Sequence, residues 1–557
     1  MRKVIALLLC APLVFPHEPV RFPHAMVAAE EALAADVGAR VLRSGGNAVD
    51  AAVAVGFALA VTHPFAGNLG GGGFMLVRLT NGKSTFIDFR ERAPLKATRD
   101  MYLDASGKPN GESTAGWKSA GVPGTVRGFA LAHQKYGSKK WSELLAPSVK
   151  LAKQGFQVNY LLARSLNETK KLKDDPETRR VLLRGGQSWT AGEMLMQADL
   201  AATLTRISER GADGFYEGET AQRLVQEMGK HSGMISLEDL HGYQAVEREP
   251  IEGTYRNFRV ISAPPPSAGG LGLLQMLGML DGSGYEKGGA GSAAVYHYLA
   301  EVMRRFFADR SAYLGDPDFV KNPLAALLDP AYLRARRASI DPDRATPSVS
   351  LRGGLPSIRK EGTQTVHYDV VDAQGNIAAL TYTLNDGFGN GIMVPGLGFL
   401  LNDEMDDFTS APGRPNLFGV VQGETNAIVP GKRPVSSMTP TIVLRDGKPY
   451  LVLGTPGGSR IPTAVLQVML NVMDFGMNVQ DAVDFPRIHH QWQPDRLFVD
   501  RNFSPDTIAL LKARGHTVDD SPGVVPPRVT AILIGDGILE GATDGRNTRN
   551  VNKVAGY

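Results

Sequence analysis

The sequence predicts an α+β protein, and three observations carry that prediction. Helical periodicity dominates the first 340 residues, a polar break follows at 341–364, and antiparallel hairpin patterns begin directly after it. No period of about 20 to 50 residues recurs, which excludes a solenoid.

Met26-Val27-Ala28-Ala29 has the composition of a short strand. A helix is expected over 30–43, where Leu33, Val37 and Val41 share a face and Gly45-Gly46 ends it. Asn47 stands where the next helix needs a cap, with Asp50 near its positive end and Val49, Val53 and Phe57 continuing the buried face. Four glycines, Gly70 to Gly73, then lead into an apolar strand. Such a run is costly in backbone entropy and implies close approach of the backbone to something. It lacks the G-x-G-x-x-G spacing and the G-K-[ST] ending, so nucleotide binding is not indicated.

Further on, the 264–270 turn precedes a helix carrying Leu273, Leu274 and Leu277. A longer helix is expected over Ala293–Arg310, with Val295, Leu299, Val302 and Phe306 on its inner side. The break at 341–364 is polar and rich in Pro, Gly and Ser, and is expected to lie exposed and open to cutting. Thr365–Val371 and Ile377–Leu384 form a predicted hairpin around 373–376. A second joins Thr441–Leu444 to Tyr450–Leu453 around Asp446-Gly447.

With 60 Lys and Arg against 57 Asp and Glu, the 557-residue chain carries a net charge of +3. No dense basic block gives it the footprint of a nucleic-acid binder. At the N-terminus, Arg2 and Lys3 precede an apolar run from Val4 to Phe15, too short to span a bilayer as a helix. Residues 1–24 therefore read as a signal peptide for export, with no clear cleavage site. The single cysteine, Cys10, falls inside it, so its removal would exclude disulfides and thiolate chemistry.

Thr365 is the residue with most chemical promise. An internal threonine is ordinarily just a strand residue. This one opens a hairpin directly after a hydrolysable linker. Cutting Gln364–Thr365 would give it a free α-amine beside its own hydroxyl, a recognised way to activate a weak nucleophile. The returning strand carries Thr381, Thr383 and Asn385, and alternate residues of a hairpin share a face. The turn Gly454-Thr455-Pro456-Gly457-Gly458-Ser459-Arg460 joins an apolar strand to an apolar helix. Its free N–H groups suit an oxyanion, although such a turn also occurs with nothing bound. Arg90, the acidic loop Asn402–Phe408 and Ser436-Ser437 could together grip an amino-acid zwitterion, while loop acids alone are ordinarily surface. His367, His489 and His490 match no zinc spacing, so no metal and no cofactor are expected.

In order along the chain, Gly45–Ala52, Asn68–Met75, Asp88-Phe89-Arg90-Glu91, Thr365-Val366-His367-Tyr368, Arg433–Pro440 and Gly454–Arg460 resemble the γ-glutamyltranspeptidases, or glutathione hydrolases. The resemblance implies a four-layer αββα sandwich of the N-terminal-nucleophile type, made as one precursor. Self-cleavage would yield a large subunit, 25–364, and a small subunit, 365–557, as a heterodimer. It further implies Thr365 as nucleophile assisted by Thr383, and Gly457 and Gly458 as the oxyanion site. Arg90, Ser436 and Ser437 would bind the glutamyl carboxylate, and Asn385, Glu404 and Asp407 its amino group. Glutathione and other γ-glutamyl compounds would be donors; water, amino acids or dipeptides would be acceptors. Phe418 stands where some bacterial members carry a lid tyrosine, which implies a looser lid. Asp407 argues against the related cephalosporin acylases, whose glutaryl side chain lacks an amino group. An acylase of the same fold and a non-catalytic binding protein are the competing expectations, the latter predicting an uncut chain.

Overall fold

The computed structural model describes residues 17–353, 365–409, 424–521, 527–546 and 553–557. Gln364, Phe418 and the first 16 residues of the expected leader lie outside them. Two seven-stranded sheets face each other. Sheet I runs Lys553–Gly556, Met26–Ala29, Val366–Val371, Ile377–Thr383, Gly72–Arg78, Ser84–Phe89, Val246–Arg248. Sheet II runs Val20–Phe22, Leu539–Thr543, Thr530–Ile534, Lys448–Gly454, Thr441–Arg445, Phe258–Ser262, Ile251–Tyr255. The paired strands within both sheets are antiparallel.

Side-chain alternation divides each strand of sheet I between two cores. Val366, Tyr368 and Val370 point to a layer of helices that includes Ala32–Arg43, Ala48–Thr62, Thr125–Tyr136 and Trp141–Gln154. Val371, Ile377, Ala379, Phe74 and Leu76 share a second cluster with Ile442, Val452 and Ile532 of sheet II and with the helices Gly269–Leu280, Ala293–Tyr313 and Ile461–Met473. Helix, sheet, sheet, helix is the expected αββα order. The Ala48–Thr62 helix is buried along its whole length, which its Ala-rich composition permits. Tyr368 and Tyr382 donate their hydroxyls to its Ala52 and Gly56 carbonyls at 2.7 and 2.9 Å, satisfying polar groups that burial would otherwise penalise.

Most local expectations are met. Asn47 and Asp50 form a reciprocal capping box, and both hairpins pair in the expected turns. The close approach implied by Gly70 to Gly73 is to the chain's own backbone. A Cβ would stand 2.2 Å from the Leu400 oxygen at Gly70, 1.9 Å from the Thr383 oxygen at Gly71 and 2.4 Å from the Phe89 oxygen at Gly72.

One expectation needs correction. The Ala293–Tyr313 helix is buried on nearly every face and not on one inner side, with Arg304, Arg305 and Arg310 enclosed. The first part of the polar break lies largely exposed, as expected, but hydrogen bonds tie it to the body of the protein. His297 Nε2 lies 2.7 Å from the Asp341 carbonyl, Thr346 Oγ1 donates to Glu301 at 2.6 Å, and Ser348 N donates to Asp495 at 2.7 Å. The helix supplies hydrogen-bond partners that let a polar segment lie down without losing its bonds. Val20–Phe22, inside the span expected for the leader, forms an edge strand on Leu539–Thr543. Among the described residues, no helix is long and apolar enough to cross a membrane.

Candidate active site

The same alternation that builds the core brings polar residues together at one end of the space between the sheets. Thr365, His367 and Asp369 fall on the face that carries Val371, and Thr381 and Thr383 on the face that carries Ile377. One end of this inter-sheet layer is therefore apolar and the other is hydroxyl, imidazole and carboxylate.

The registers set a row across sheet I. Val366 pairs with Tyr382, so the next position outward sets Thr365 against Thr383. Thr383 pairs with Gly72, and Gly73 with Phe89, so the same step sets Gly72 against Arg90. The row reads Thr365, Thr383, Gly72, Arg90. Three inter-strand spacings separate its ends, about 14 Å at about 4.8 Å each. A side chain at Gly72 would fill the middle of that row, with its Cβ 2.8 Å from the Glu91 carboxylate.

At the first end, Thr365 is buried at 3% exposure, and the Asn385 N–H donates to Thr383 Oγ1 at 2.8 Å. Asn385 adopts φ +78°, a strained region that asparagine tolerates better than most residues, and its side-chain amide donates to the Asp403 carbonyl. Further along the strand that Thr365 leads into, His367 bonds to Thr381 at 2.7 Å and to Asp369 at 3.0 Å, and Thr530 of sheet II donates to Asp369 at 2.9 Å. Gly454, paired with Thr530, lies directly on the His367 ring. The loop that leaves Gly454 thus starts against His367, two residues along the strand from Thr365. Gly457 and Gly458 follow with φ of +126° and +56°, entering the helix that begins at Ile461. Behind that loop, Ser459 donates to the Gln491 amide oxygen at 2.8 Å, and His489 Nε2 lies 3.0 Å from the same oxygen. Burial holds His489 well below the usual imidazole range, reinforced by Arg460, so it is neutral and donates through Nε2.

At the other end, Arg90 is 1% exposed and pairs with both Glu404 and Asp407, with Glu91 at 3.5 Å. Burial alone would lower its pKa, but the three carboxylates outweigh burial and raise it. Burial also pushes Glu91 up, to about 7, and Glu404 well above the carboxylate range, with Arg90 opposing and repulsion from Asp407 adding to both. The residues expected to divide a substrate's two charges therefore face each other directly.

Two anchors explain why these loops meet. Arg433 pairs with Asp88 at 3.4 Å and its N–H donates to Asp316, fixing the segment that presents Ser436 and Ser437. Arg90 Nε then donates to the Pro434 carbonyl at 3.3 Å. Asn426 joins the other side, donating to the Asp407 carbonyl at 2.6 Å and accepting from Val435 N at 3.0 Å. Sequence reasoning missed Asn426, the Asp88–Arg433 pair and Arg310, whose Nη2 donates to Ser437 Oγ at 3.1 Å. Three arginines in one buried helix were the available signal.

Over residues 34–554 the chain matches the family model described as gamma-glutamyltranspeptidase. It is 49% identical over 543 residues to the glutathione hydrolase proenzyme of Escherichia coli, covering 97% of this chain and 93% of that protein. This chain belongs to the γ-glutamyltranspeptidase family. Its fold is shared with a cephalosporin acylase from Bacillus halodurans, at a TM-score of 0.85 and 27% identity over 100% of this chain and 99% of the other. The γ-glutamyltranspeptidase of Helicobacter pylori is 43% identical, with a TM-score of 0.57 over 58% of this chain and 93% of that one. As in these relatives, the architecture is the α+β sandwich of N-terminal-nucleophile hydrolases.

A metal has poor prospects in the one cluster with close ligand atoms among the described residues, His297, Glu301 and His516. Glu301 is already paired with Arg305 and stands 3.4 Å from Arg304, so two cations compete for its charge.

Proposed function

We propose that this chain cuts itself between Gln364 and Thr365 and then transfers γ-glutamyl groups from glutathione and related amides. The observation that carries this is the row Thr365, Thr383, Gly72, Arg90: a nucleophile at one end, a charge-binding group at the other, and a glycine between them. The spacing suits an acyl group whose reacting carbonyl and charged head lie apart.

In turnover the Thr365 hydroxyl bonds to the γ-carbonyl carbon while its proton passes to the free α-amine. The Gly457 and Gly458 N–H groups hold the oxyanion, and Thr383 supports the nucleophile. The amide C–N bond breaks, the amine returns the proton to the leaving amine, and a γ-glutamyl ester remains on Thr365. Water then completes hydrolysis, or an amino acid or dipeptide completes transfer. Arg90, Ser436 and Ser437 take the substrate's carboxylate; Asn385, Glu404 and Asp407 take its ammonium. Substrate binding would thus replace the Arg90–Glu404 and Arg90–Asp407 pairs by one charge of each sign.

The heterodimer belongs to the same proposal. In sheet I, Val366–Val371 and Ile377–Thr383 lie between Met26–Ala29 and Gly72–Arg78, and in sheet II, Thr441–Arg445 pairs with Phe258–Ser262. Two chains cut before Thr365 would share both sheets and stay together. Export through the N-terminal leader, to the periplasm or beyond, completes the reading.

Intact mass and N-terminal sequencing of the wild type beside Thr365→Ala test it. Two fragments in the wild type, one beginning Thr-Val-His-Tyr, and an uncut variant are expected. An uncut wild type would favour a binding protein, and a preference for glutaryl over γ-glutamyl amides would favour an acylase.

A further inference from the structure

Arg310 lies near the end of the Ala293–Tyr313 helix, 3% exposed, and donates from Nη2 to Ser437 Oγ at 3.1 Å. A guanidinium has donors and no acceptor, so the Ser437 oxygen must be the acceptor in this bond. The Ser437 proton is then directed away from the arginine. Ser436 is polarised in the same sense, because its Oγ accepts from the Met438 N–H at 3.1 Å. Two adjacent hydroxyls are thus both set to donate, which suits a ligand group that only accepts. A carboxylate is such a group.

Charge points the same way. Arg90 faces three acids, Glu91, Glu404 and Asp407, so an incoming carboxylate meets acids as well as a cation. Arg310 adds a second buried cation on the serine side of the cluster, within electrostatic reach of Asp407. Burial lowers its pKa to about 9, with Asp407 opposing, so it remains charged at neutral pH.

We propose that Arg310 is a positioning residue of the carboxylate subsite: it orients the Ser437 hydroxyl as a donor and supplies a second positive charge, selecting acyl donors that carry an α-carboxylate. This deepens the functional proposal above and rests on its placing of the substrate carboxylate at Ser436 and Ser437.

Two chromogenic anilides separate the effects: γ-glutamyl-p-nitroanilide, and 4-aminobutyryl-p-nitroanilide, which lacks the α-carboxylate. Wild type, Arg310→Gln, Arg310→Lys, Ser437→Ala and the double variant Arg310→Gln/Ser437→Ala are compared by steady-state kinetics. Charge-assisted hydrogen bonds are strong enough that Arg310→Gln should raise KM for the γ-glutamyl anilide about 10-fold more than for the 4-aminobutyryl anilide, with kcat within about twofold. Arg310→Lys should recover part of that loss, and the double variant should be no worse than the more severe single one. Equal KM changes for both anilides would overturn the proposal, as would additive effects of the two substitutions. If Arg310→Gln fails to mature, Arg310→Lys carries the comparison. Failure of both to mature would make Arg310 a structural residue and overturn the proposal as well. A wild type that turns over both anilides equally well would instead defeat the parent reading, before Arg310 is touched.

Discussion

Gly454 rests on the ring of His367, so closely that a methyl carbon on the glycine would stand 2.2 Å from the imidazole Cε1. The ring has no room to yield, because Thr381 and Asp369 bond both of its nitrogens. Sheet II thereby sets the height of the Gly457-Gly458 loop against the strand that carries Thr365. Gly454→Ala should force the sheets apart locally and cost about 1–3 kcal/mol of stability by overpacking. It should also lower kcat, because the proposed oxyanion donors, Gly457 and Gly458, move while Thr365, the proposed nucleophile, stays. Thermal unfolding and turnover of a γ-glutamyl anilide check both parts; unchanged kcat would mean that the loop is positioned independently of His367.

Thr383 offers a sharper separation of shape from hydrogen bonding. Its Oγ1 accepts from the Asn385 N–H at 2.8 Å, in a segment already held at φ +78°. Thr383→Val keeps the shape and leaves that buried N–H without its acceptor. The penalty for such a group is about 1–3 kcal/mol. If it falls on the transition state, kcat drops about 10- to 100-fold. Self-cleavage, followed by gel electrophoresis over time, should slow in parallel, since the same hydroxyl faces Thr365 in both reactions. Normal processing with slow turnover would confine Thr383 to substrate chemistry.

The acidic cluster predicts a pH dependence. Burial raises Glu91 from the ordinary 4.5 to about 7, and Glu404 also rises. Because the folded-state pKa lies above the unfolded one, the stabilising contribution is complete below about pH 4.5 and is lost as pH rises through about 7. The unliganded protein should therefore lose stability over that window, and Glu91→Gln should flatten the slope of melting temperature against pH. A donor that brings an ammonium to the cluster should favour the charged form of Glu404 and release a proton. Calorimetric titration in buffers of different ionisation enthalpy measures that release. Equal heats in all buffers would show that the cluster is fully ionised before binding.

How much of this was legible in the sequence follows the range of the interactions. The capping box of Asn47 and Asp50, the two hairpins and the helix entered from Gly458 rest on neighbours a few residues apart, and all three read directly from pattern. Thr365 and the glycine turn stand out in the sequence because a linker and a strand boundary mark them. Arg310 and Ser437 are 127 residues apart, and Arg90 and Pro434 are 344 apart. No local periodicity encodes such pairs. The anchoring hydrogen bonds of residues 341–348 were hidden for the same reason, since their partners lie on a helix some 40 residues earlier and on a loop near 495.

Asp88 shows what such a distant pair contributes. It is fully buried, and it pairs with Arg248 at 2.7 Å and with Arg433 at 3.4 Å. One oxygen also accepts from the Arg90 N–H at 3.0 Å, so one carboxylate ties the strand end before Arg90 to the segment that carries Ser436 and Ser437. Asp88→Asn keeps the size and removes the charge, leaving two arginines in a low-dielectric site with less compensation. Breaking a buried pair in this way costs about 3–5 kcal/mol. The loss should appear first as a raised KM for γ-glutamyl donors, because Arg90 and the serines lose their common anchor before Thr365 is disturbed. Pairing Asp88→Asn with Arg433→Met removes the uncompensated cation and should restore part of the stability. A double variant no more stable than Asp88→Asn alone would mean that Arg248, and not Arg433, is the arginine that Asp88 chiefly balances.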